Sequence, residues 1–346
     1  MPENRRGKLR LDMNESPVGC SPRVRAVLRR LDAQALSMYP EKGNAAQRMA
    51  PFFGLRADEM VLAGGIDDAL RLLSDVFLER GRIALIVEPT FPMYRFYAGQ
   101  REARICALRY DREMQFPLGD VLRVLRAVSG APSVFFLANP NNPTGSLLPK
   151  KALAQILDAA AHTLVVVDEA YFEFSGVTVL PWIRRRRNLV VTRTFSKAAG
   201  LAGLRIGCIF AHREVARVLR FAQAPFPIGI APLAAAETAL RDRTFTRRAA
   251  AQILRGRKIL EDGLCALGIR CFPSAASFVL ADFGARGAEV THRLARRGIL
   301  IRDLSASLGR AGWARITAGT PAQMRRLLAE LEKILGGNFS PRANRA

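Results

Sequence analysis

Six apolar runs of strand length, separated by segments with helical periodicity, constrain the fold of this chain more than any other feature. Such alternation is typical of a mostly parallel sheet covered by helices on both faces. The pattern therefore predicts an α/β fold, in which ligands bind at the carboxyl ends of the strands. The runs cover residues 82–88, 103–109, 133–139, 163–170, 189–195 and 205–211.

The character of the chain changes after a proline-rich stretch at 224–232. A long helical pattern at 244–267 then leads into shorter strands, which predicts a smaller α+β domain. We expect an N-terminal arm at 1–38, partly packed on the small domain, a large domain at 39–243, a small domain at 244–335 and a frayed tail at 336–346. The expected strands of the small domain are 268–272, 277–283, 299–303 and 314–318, and its further helices are 288–297 and 322–335.

The charge of the chain raises the question of nucleic-acid binding. Lys and Arg number 53 against 30 Asp and Glu, for a formal net charge of +23. The arginines are dispersed, however, and only residues 184–187 form a run, which is expected in a solvated loop. Because no recognised motif or aromatic platform accompanies them, we expect no specific nucleic-acid partner.

The sequence does not predict a metal-binding, disulfide-stabilised or membrane-spanning protein. The five cysteines lack C-x-x-C spacing and the three histidines are far apart, so neither a zinc site nor a disulfide framework is predicted. The apolar runs are too short to span a bilayer, and the first twelve residues contain no apolar signal-peptide core. We expect a cytoplasmic protein without membrane partners.

One lysine, Lys197, stands among hydroxyls and small residues in a chain with only seven lysines. Thr194 and Ser196 precede it, and Arg205 follows eight residues later. A lysine amine can lose its proton and form an imine with an aldehyde, whereas a guanidinium does not. The alternative is an exposed lysine in a polar turn.

The spacing of these four residues resembles the cofactor-binding segment of pyridoxal-phosphate enzymes of the aspartate-aminotransferase fold type, fold type I. The resemblance implies that the large domain binds pyridoxal 5′-phosphate. Lys197 would hold the cofactor aldehyde, while Thr194, Ser196 and Arg205 would contact the phosphate.

Two further signatures of that family lie upstream. Gly65-Ile66-Asp67 opens a predicted helix, whose free amides suit a phosphate. By resemblance, the amides of Ile66 and Asp67 would hold the cofactor phosphate. Phe91 follows a buried-type strand and matches the aromatic residue that stacks on the pyridine ring.

Three more signatures complete the predicted site. Asn142 lies in an Asn-Pro-Thr-Gly turn and matches the residue on the cofactor's phenolic oxygen, as does Tyr171. Asp168 ends an apolar strand, where a carboxylate needs a partner, and the pyridinium nitrogen would be that partner. Arg315 matches the arginine that grips the substrate α-carboxylate.

Each signature also has an ordinary structural interpretation. The Gly65 segment could be a capped helix, Phe91 a core residue, the Asn142 turn purely structural, Asp168 a cap or ion-pair partner, and Arg315 a surface residue. The matches run in the family's order from Leu11 to Leu335, and their joint presence favours the functional interpretation.

The closest pattern within the family is that of the histidinol-phosphate aminotransferases. Its support lies in residues 11–17, 39–40, 91–94, 199–205 and 301–303. The resemblance implies that Tyr39 reaches the cofactor phosphate of a neighbouring subunit, hence a homodimer with shared sites. Arg302 stands where this group binds the substrate phosphate. Val18 is a departure, because many members have an aromatic residue near this position.

The resemblance implies transamination between a small-molecule amino donor and a 2-oxo acid. The expected reaction converts L-histidinol phosphate and 2-oxoglutarate to imidazole acetol phosphate and L-glutamate, in histidine biosynthesis. Alternatives are an aromatic or broad-specificity aminotransferase and a threonine-phosphate decarboxylase. An arginine-rich nucleic-acid-binding protein on the same fold is the non-enzymatic alternative.

Overall fold

The computed structural model describes residues 5–40, 42–127 and 133–336, which form twelve strands and fourteen α-helices. The strands are β1 (Leu9–Leu11), β2 (Met60–Ala63), β3 (Ile83–Glu88), β4 (Arg104–Arg109), β5 (Ser133–Ala138), β6 (Thr163–Asp168), β7 (Leu189–Thr194), β8 (Gly207–Ala211), β9 (Arg270–Cys271), β10 (Phe278–Asp282), β11 (Ile299–Asp303) and β12 (Trp313–Thr317). The helices are α1 (Pro22–Arg29), α2 (Ala33–Ser37), α3 (Lys42–Met49), α4 (Ile66–Phe77), α5 (Met93–Gln100), α6 (Leu118–Ala127), α7 (Lys150–Ala159), α8 (Phe172–Ser175), α9 (Arg213–Ala222), α10 (Ile230–Arg241), α11 (Arg243–Ala266), α12 (Gly287–Arg296), α13 (Ser305–Leu308) and α14 (Pro321–Leu335).

The larger sheet has the strand order β2-β8-β7-β6-β5-β3-β4. Only β8 runs antiparallel to its neighbours in this sheet, so the predicted α/β fold is confirmed. The six predicted apolar runs form six of its seven strands, each with one end shifted: four ends move by one residue and two by two. β6 ends at Asp168, whose carboxylate accepts from the Ala170 amide, and β8 begins only after Arg205, whose φ of +49° interrupts extended backbone.

The central strands are apolar on both faces because helices cover both faces. Phe135 and Val165 pack into one hydrophobic cluster with α1, α6, α7 and α10. Phe136 and Val166, the next residue of each strand, pack into a second cluster with α4, α5 and α9. Successive strand residues point to opposite faces, so a strand buried twice appears in the sequence as an unbroken apolar run.

The smaller sheet has the strand order β1-β11-β12-β10-β9. β1 lies in the N-terminal arm and pairs parallel to β11, with Leu9 opposite Ile299, whereas the other neighbours are antiparallel. The predicted helices 244–267, 288–297 and 322–335 correspond to α11, α12 and α14 within one residue at each end. α11 approaches the turn before α14 closely, since a Cβ on Gly256 would lie 1.9 Å from the Gly319 oxygen.

The arginine run at 184–187 is mostly exposed between two elements, as expected, and it also forms ion pairs. Arg184 ends a 3₁₀ turn, Leu180–Arg184, and two further residues of the run also bind acids. The ion pairs are Arg184–Glu59, Arg186–Asp158 and Arg187–Glu214. Acids from three separate elements therefore offset this concentration of charge.

Nothing in the described residues suggests a membrane span: every helix there is too short or too polar to cross a bilayer. The helix α14 ends at Leu335 and is capped by Gly336, which has φ +70°. The rest of the predicted frayed tail lies outside the described residues.

Candidate active site

Lys197 lies in the turn after β7, enclosed beneath the N-terminal arm. Its Nζ donates to the backbone oxygen of Met13 at 3.3 Å. Burial, followed by the positive charges of Arg315 and Arg205, lowers the pKa of Lys197 from 10.5 to about 8. An amine that loses its proton near pH 8 is suited to act as a nucleophile and as a base.

The turn that presents Lys197 is held by local hydrogen bonds and by one glycine. Thr194 Oγ1 accepts from the Ser196 amide at 3.0 Å, and the Gly200 amide donates to the Lys197 oxygen at 3.0 Å. Gly200 has φ +71°, and a Cβ there would lie 2.1 Å from the backbone oxygen of Gly19. Glycine is required here because the arm crosses directly over this turn.

Asp168 is buried at the carboxyl end of β6. Its Oδ2 accepts from the Tyr94 hydroxyl at 2.8 Å and its Oδ1 from the Ala170 amide at 3.1 Å. Burial raises the pKa of Asp168, while these hydrogen bonds act in the opposite direction. Among the described residues, no Lys or Arg forms an ion pair with this carboxylate, so it is available to a cationic group of a ligand.

A candidate anion-binding site, here called the cradle, lies at the start of α4 and includes Ser196 and Arg205. Gly65, the N-cap, has φ +90° and supplies no side-chain cap, so the amides at the start of the helix are not capped by a side chain. The side chain of Ile66 packs in the core, and its backbone amide at the start of α4 is available to a ligand. Arg205 Nη2 contacts Asp67 Oδ2 at 3.1 Å, and Arg205 Nη1 contacts Ser196 Oγ at 3.4 Å. The structure thus brings the predicted phosphate-binding residues together.

Phe91 lies between β3 and α5 and is half-buried. Its ring meets that of Tyr94 edge to face, with centroids 5.7 Å apart. Tyr94 in turn stacks on Phe136 at 5.3 Å. Because Tyr94 also binds Asp168, this aromatic group links Phe91 to the predicted ring-nitrogen partner.

Asn142 and Tyr171 converge with Arg315 from the smaller sheet. Arg315 Nη1 donates to Asn142 Oδ1 at 2.6 Å, and Tyr171 Oη accepts from Asn14 Nδ2 at 2.8 Å. Burial raises the pKa of Tyr171, with the Arg315 charge opposing the shift. Tyr171 therefore keeps its proton at neutral pH.

Arg315 is an enclosed cation without a carboxylate partner among the described residues. Its Nη2 donates to the backbone oxygen of Asp12 at 2.8 Å, while its Nε is buried without any hydrogen-bond partner in that part of the chain. Arg302 lies opposite Arg315 in the register of β11 and β12. Arg302 is exposed, and within the described ranges no acid pairs with it. Two adjacent guanidinium groups without acidic partners favour an anionic ligand.

Tyr39 and Val18, two positions that the sequence analysis singled out, differ in their distance from the site. Tyr39 is 76% exposed and stacks on Phe226 at 4.1 Å, and no contact of the described residues joins it to the other predicted site residues. Val18 packs against the cluster that contains Tyr171 and Ala198. The position that lacks the family's aromatic residue therefore does lie beside the site.

Sequence reasoning gave no role to four residues that support the site. Asn14 contacts Tyr171, and Tyr94 contacts Asp168. Glu169, which follows Asp168, accepts from Arg193 Nε and Nη2 at 3.0 and 2.8 Å. Because Arg193 precedes Thr194, this ion pair ties the end of β6 to the end of β7. The only available signal was their presence in, or next to, the recognised motifs.

Comparison with known proteins identifies the class. The model of the family described as aminotransferase class I and II matches residues 6–331. The chain therefore belongs to the aminotransferase class I and II family. It is a pyridoxal-phosphate-dependent aminotransferase, as the sequence resemblance indicated.

Several curated relatives and one of the similar solved structures carry the name histidinol-phosphate aminotransferase. The chain is 33% identical to histidinol-phosphate aminotransferase 1 of Carboxydothermus hydrogenoformans, covering 95% of this chain and 93% of that protein. It is 37% identical to the histidinol-phosphate aminotransferase of Symbiobacterium thermophilum, covering 95% and 91%. Among solved structures, the histidinol-phosphate aminotransferase of Sinorhizobium meliloti in complex with pyridoxal-5′-phosphate has a TM-score of 0.87 and 27% identity, covering 95% and 91%.

The residues present fit this cofactor. A Cβ on Gly65 would lie 2.6 Å from Arg205 Nη2, so the glycine keeps the cradle open for a phosphate. The buried Asp168 carboxylate accepts only from neutral donors in the described part of the chain, which suits a protonated ring nitrogen. The amine of Lys197, with its lowered pKa, suits an aldehyde.

Proposed function

We propose that this protein transfers the amino group of L-histidinol phosphate to 2-oxoglutarate, forming imidazole acetol phosphate and L-glutamate in histidine biosynthesis. The observation that carries the proposal is the side-by-side placement of Arg302 and Arg315 in register on β11 and β12. The donor has a phosphate and no α-carboxylate, so its recognition depends on cations at this place. The relatives in Carboxydothermus and Symbiobacterium, which are named histidinol-phosphate aminotransferases, support the same substrate.

Pyridoxal phosphate, when bound, supplies an electrophilic aldehyde and a ring that withdraws electrons from the substrate's α-carbon. Lys197 would hold that aldehyde through Nζ and, when its amine is free, would move the α-proton of the substrate as a base. Asp168 would keep a proton on the ring nitrogen. Asn142 and Tyr171 would bind the phenolic oxygen, and Phe91 would stack on the ring.

The cofactor phosphate is assigned to the start of α4 and to the segment that leads from β7 toward β8. The amides of Ile66 and Asp67 begin α4 behind Gly65, and no side-chain cap competes with a ligand there. The other assigned residues are Thr194 at the end of β7, Ser196 in the turn that follows, and Arg205 before β8 begins.

We assign the second-subunit contact to Tyr39, which requires a homodimer. Tyr39 is 76% exposed, and Phe226, on which it stacks, is 53% exposed. Leu36 and Met38, at 64% and 62% exposed, extend this apolar patch. A second copy of the chain would cover the patch and place Tyr39 at the neighbouring cradle.

The test is the ratio of kcat/KM for L-histidinol phosphate to kcat/KM for phenylalanine, with 2-oxoglutarate as acceptor. We expect a ratio above one hundred, because two charge-assisted contacts to the donor phosphate have no counterpart in phenylalanine. A ratio below one would favour an aromatic aminotransferase. Release of carbon dioxide from threonine phosphate would favour the decarboxylase.

The variant Arg302→Gln tests directly whether the pair Arg302 and Arg315 binds the donor phosphate. It should lower kcat/KM for histidinol phosphate at least tenfold while changing that for phenylalanine much less. The matched control is Arg296→Gln, an exposed arginine on α12, which should leave both values unchanged. Equal losses for both donors in Arg302→Gln would contradict the phosphate assignment.

A further inference from the structure

Asn14 links the N-terminal arm, the smaller sheet and the cofactor site. It is 2% exposed and has φ +52°, a left-handed conformation that asparagine tolerates better than most residues. Its backbone amide donates to Thr317 Oγ1 at 3.0 Å, and its side chain contacts both Thr317 Oγ1 and Tyr171 Oη. A buried polar residue in such a conformation needs all of these partners.

Thr317 determines which way the Asn14 amide faces. Because Thr317 Oγ1 accepts from the Asn14 backbone amide, its own proton is available, and Asn14 Oδ1 accepts it at 3.0 Å. In the opposite orientation, the Thr317 proton would face an NH₂ group and lose its only acceptor among the described residues. The favoured orientation places Nδ2 2.8 Å from Tyr171 Oη.

The direction of the next hydrogen bond follows from the chemistry of the amide. An amide NH₂ group donates and does not accept, so Tyr171 Oη is the acceptor. The phenolic proton of Tyr171 is consequently free to be donated elsewhere. The charged groups around this ring are Asp168 at the end of β6, Lys197 in the turn after β7 and Arg315 on β12.

None of those three groups takes the Tyr171 proton. Among the described residues, the only hydrogen bond of Tyr171 Oη is the one from Asn14 Nδ2, and no hydrogen bond joins it to Lys197, Arg315 or Asp168. A ligand oxygen in the site is the remaining acceptor. We propose that Asn14, oriented by Thr317, is a positioning residue that makes Tyr171 a hydrogen-bond donor to the phenolic oxygen of the bound cofactor.

This inference rests on the proposed role of Tyr171, and the variants separate the two. Asn14→Asp nearly preserves the shape but replaces the NH₂ group with an acceptor. Tyr171 would then donate to the aspartate, and the cofactor oxygen would lose its donor. A donor to that oxygen favours its negatively charged form, so its loss should raise the midpoint of the pH-dependent visible absorbance of the bound cofactor.

The experiment titrates the absorbance of the purified holoenzyme for wild type, Asn14→Asp, Tyr171→Phe and the double variant. We expect both single variants to raise the midpoint by about one pH unit, a tenfold change. When Tyr171→Phe is already present, adding Asn14→Asp should raise the midpoint by less than half of the shift that Asn14→Asp causes in the wild-type protein. Thr317→Val, which releases the amide without adding charge, should shift the midpoint in the same direction.

The matched control is Asn188→Asp. Asn188 is a half-buried asparagine whose Nδ2 donates to the oxygens of Leu157 and Ala160, in contact with none of the site residues. The Asn188→Asp variant should lower the melting temperature of the apoprotein without moving the absorbance midpoint. Such a result would separate loss of stability from loss of the donor.

Three outcomes would overturn the inference. If Tyr171→Phe raises the midpoint and Asn14→Asp does not, the role of Tyr171 stands and that of Asn14 fails. If the Asn14→Asp shift is undiminished in the Tyr171→Phe background, it is a charge effect that does not pass through Tyr171. If Tyr171→Phe leaves the midpoint unchanged, the proposed role of Tyr171 fails, and the inference fails with it.

Discussion

Replacing Lys197 with methionine should stabilise the apoprotein, although it removes the residue assigned to the chemistry. The pKa of Lys197 is about 8 in the folded chain against an ordinary value of 10.5, with burial as the main cause. Folding therefore disfavours the charged form. A methionine of similar length has no charge to bury.

The magnitude follows from linkage. The pKa is lowered by about 2.5 pH units, and one unit corresponds to about 1.36 kcal/mol, so the charged lysine costs up to about 3 kcal/mol. For a group whose folded pKa is lowered in this way, the full cost is present below pH 8. It disappears as the pH rises from 8 to 10.5, because only the unfolded chain still binds the proton there. The advantage of Lys197→Met should fall from about 3 kcal/mol at pH 7 to about 1 kcal/mol at pH 10.

The assay is urea unfolding of cofactor-free protein at pH 7 and pH 10, at one protein concentration. The matched control, Lys151→Met, changes an exposed lysine on α7 and should alter stability by less than about 0.5 kcal/mol at both pH values. A stability difference between Lys197→Met and wild type that is the same at both pH values would refute the reasoning, since the predicted effect depends on protonation.

Three further predictions concern the cradle, the ring-nitrogen partner and the surface charge. Gly65→Ala should weaken cofactor binding to the apoprotein at least tenfold in an absorbance titration. Position 65 has φ +90°, which alanine disfavours, and the new Cβ, 2.6 Å from Arg205 Nη2, would push this guanidinium out of the cradle. Gly99→Ala, with open space around its Cβ, should bind the cofactor normally. Asp168→Asn should still bind the cofactor but slow single-turnover proton abstraction tenfold or more, because a neutral amide stabilises a protonated ring nitrogen poorly. Near-normal rates would exclude that role. Binding of duplex DNA, measured by fluorescence anisotropy, should be weak and fall steeply with salt; tight, sequence-selective binding at physiological salt would contradict this expectation.

The strands of the larger sheet were predictable because their signal is local. β5, β6 and β7 are buried on both faces, so each is a continuous apolar run, and the helices between them have their own periodicity. The three-residue strand β1 was not predicted as a strand. It is too short for a periodic pattern, and its partner Ile299 lies far along the chain from Leu9.

The chemical identity of the site was also local information. Lys197, Asp168 and the glycine at position 65 each stand at the junction of two elements, where a reactive or conformationally special residue is conspicuous. A buried carboxylate at a strand end and a lysine among small residues are unfavourable unless they serve a ligand. The resemblance of these motifs to those of pyridoxal-phosphate enzymes implied the cofactor class without any knowledge of long-range contacts.

Which groups meet, and in which direction each hydrogen bond runs, was decided only by tertiary structure. Asn14 and Thr317 are 303 residues apart, and Asn142 and Arg315 are 173 apart, yet each pair is in hydrogen-bond contact. Sequence determines which groups can donate or accept, because that property belongs to each side chain alone. Packing of the arm and the small sheet against the large one decides which partners are within about 3 Å, and a hydrogen bond has little strength beyond that distance.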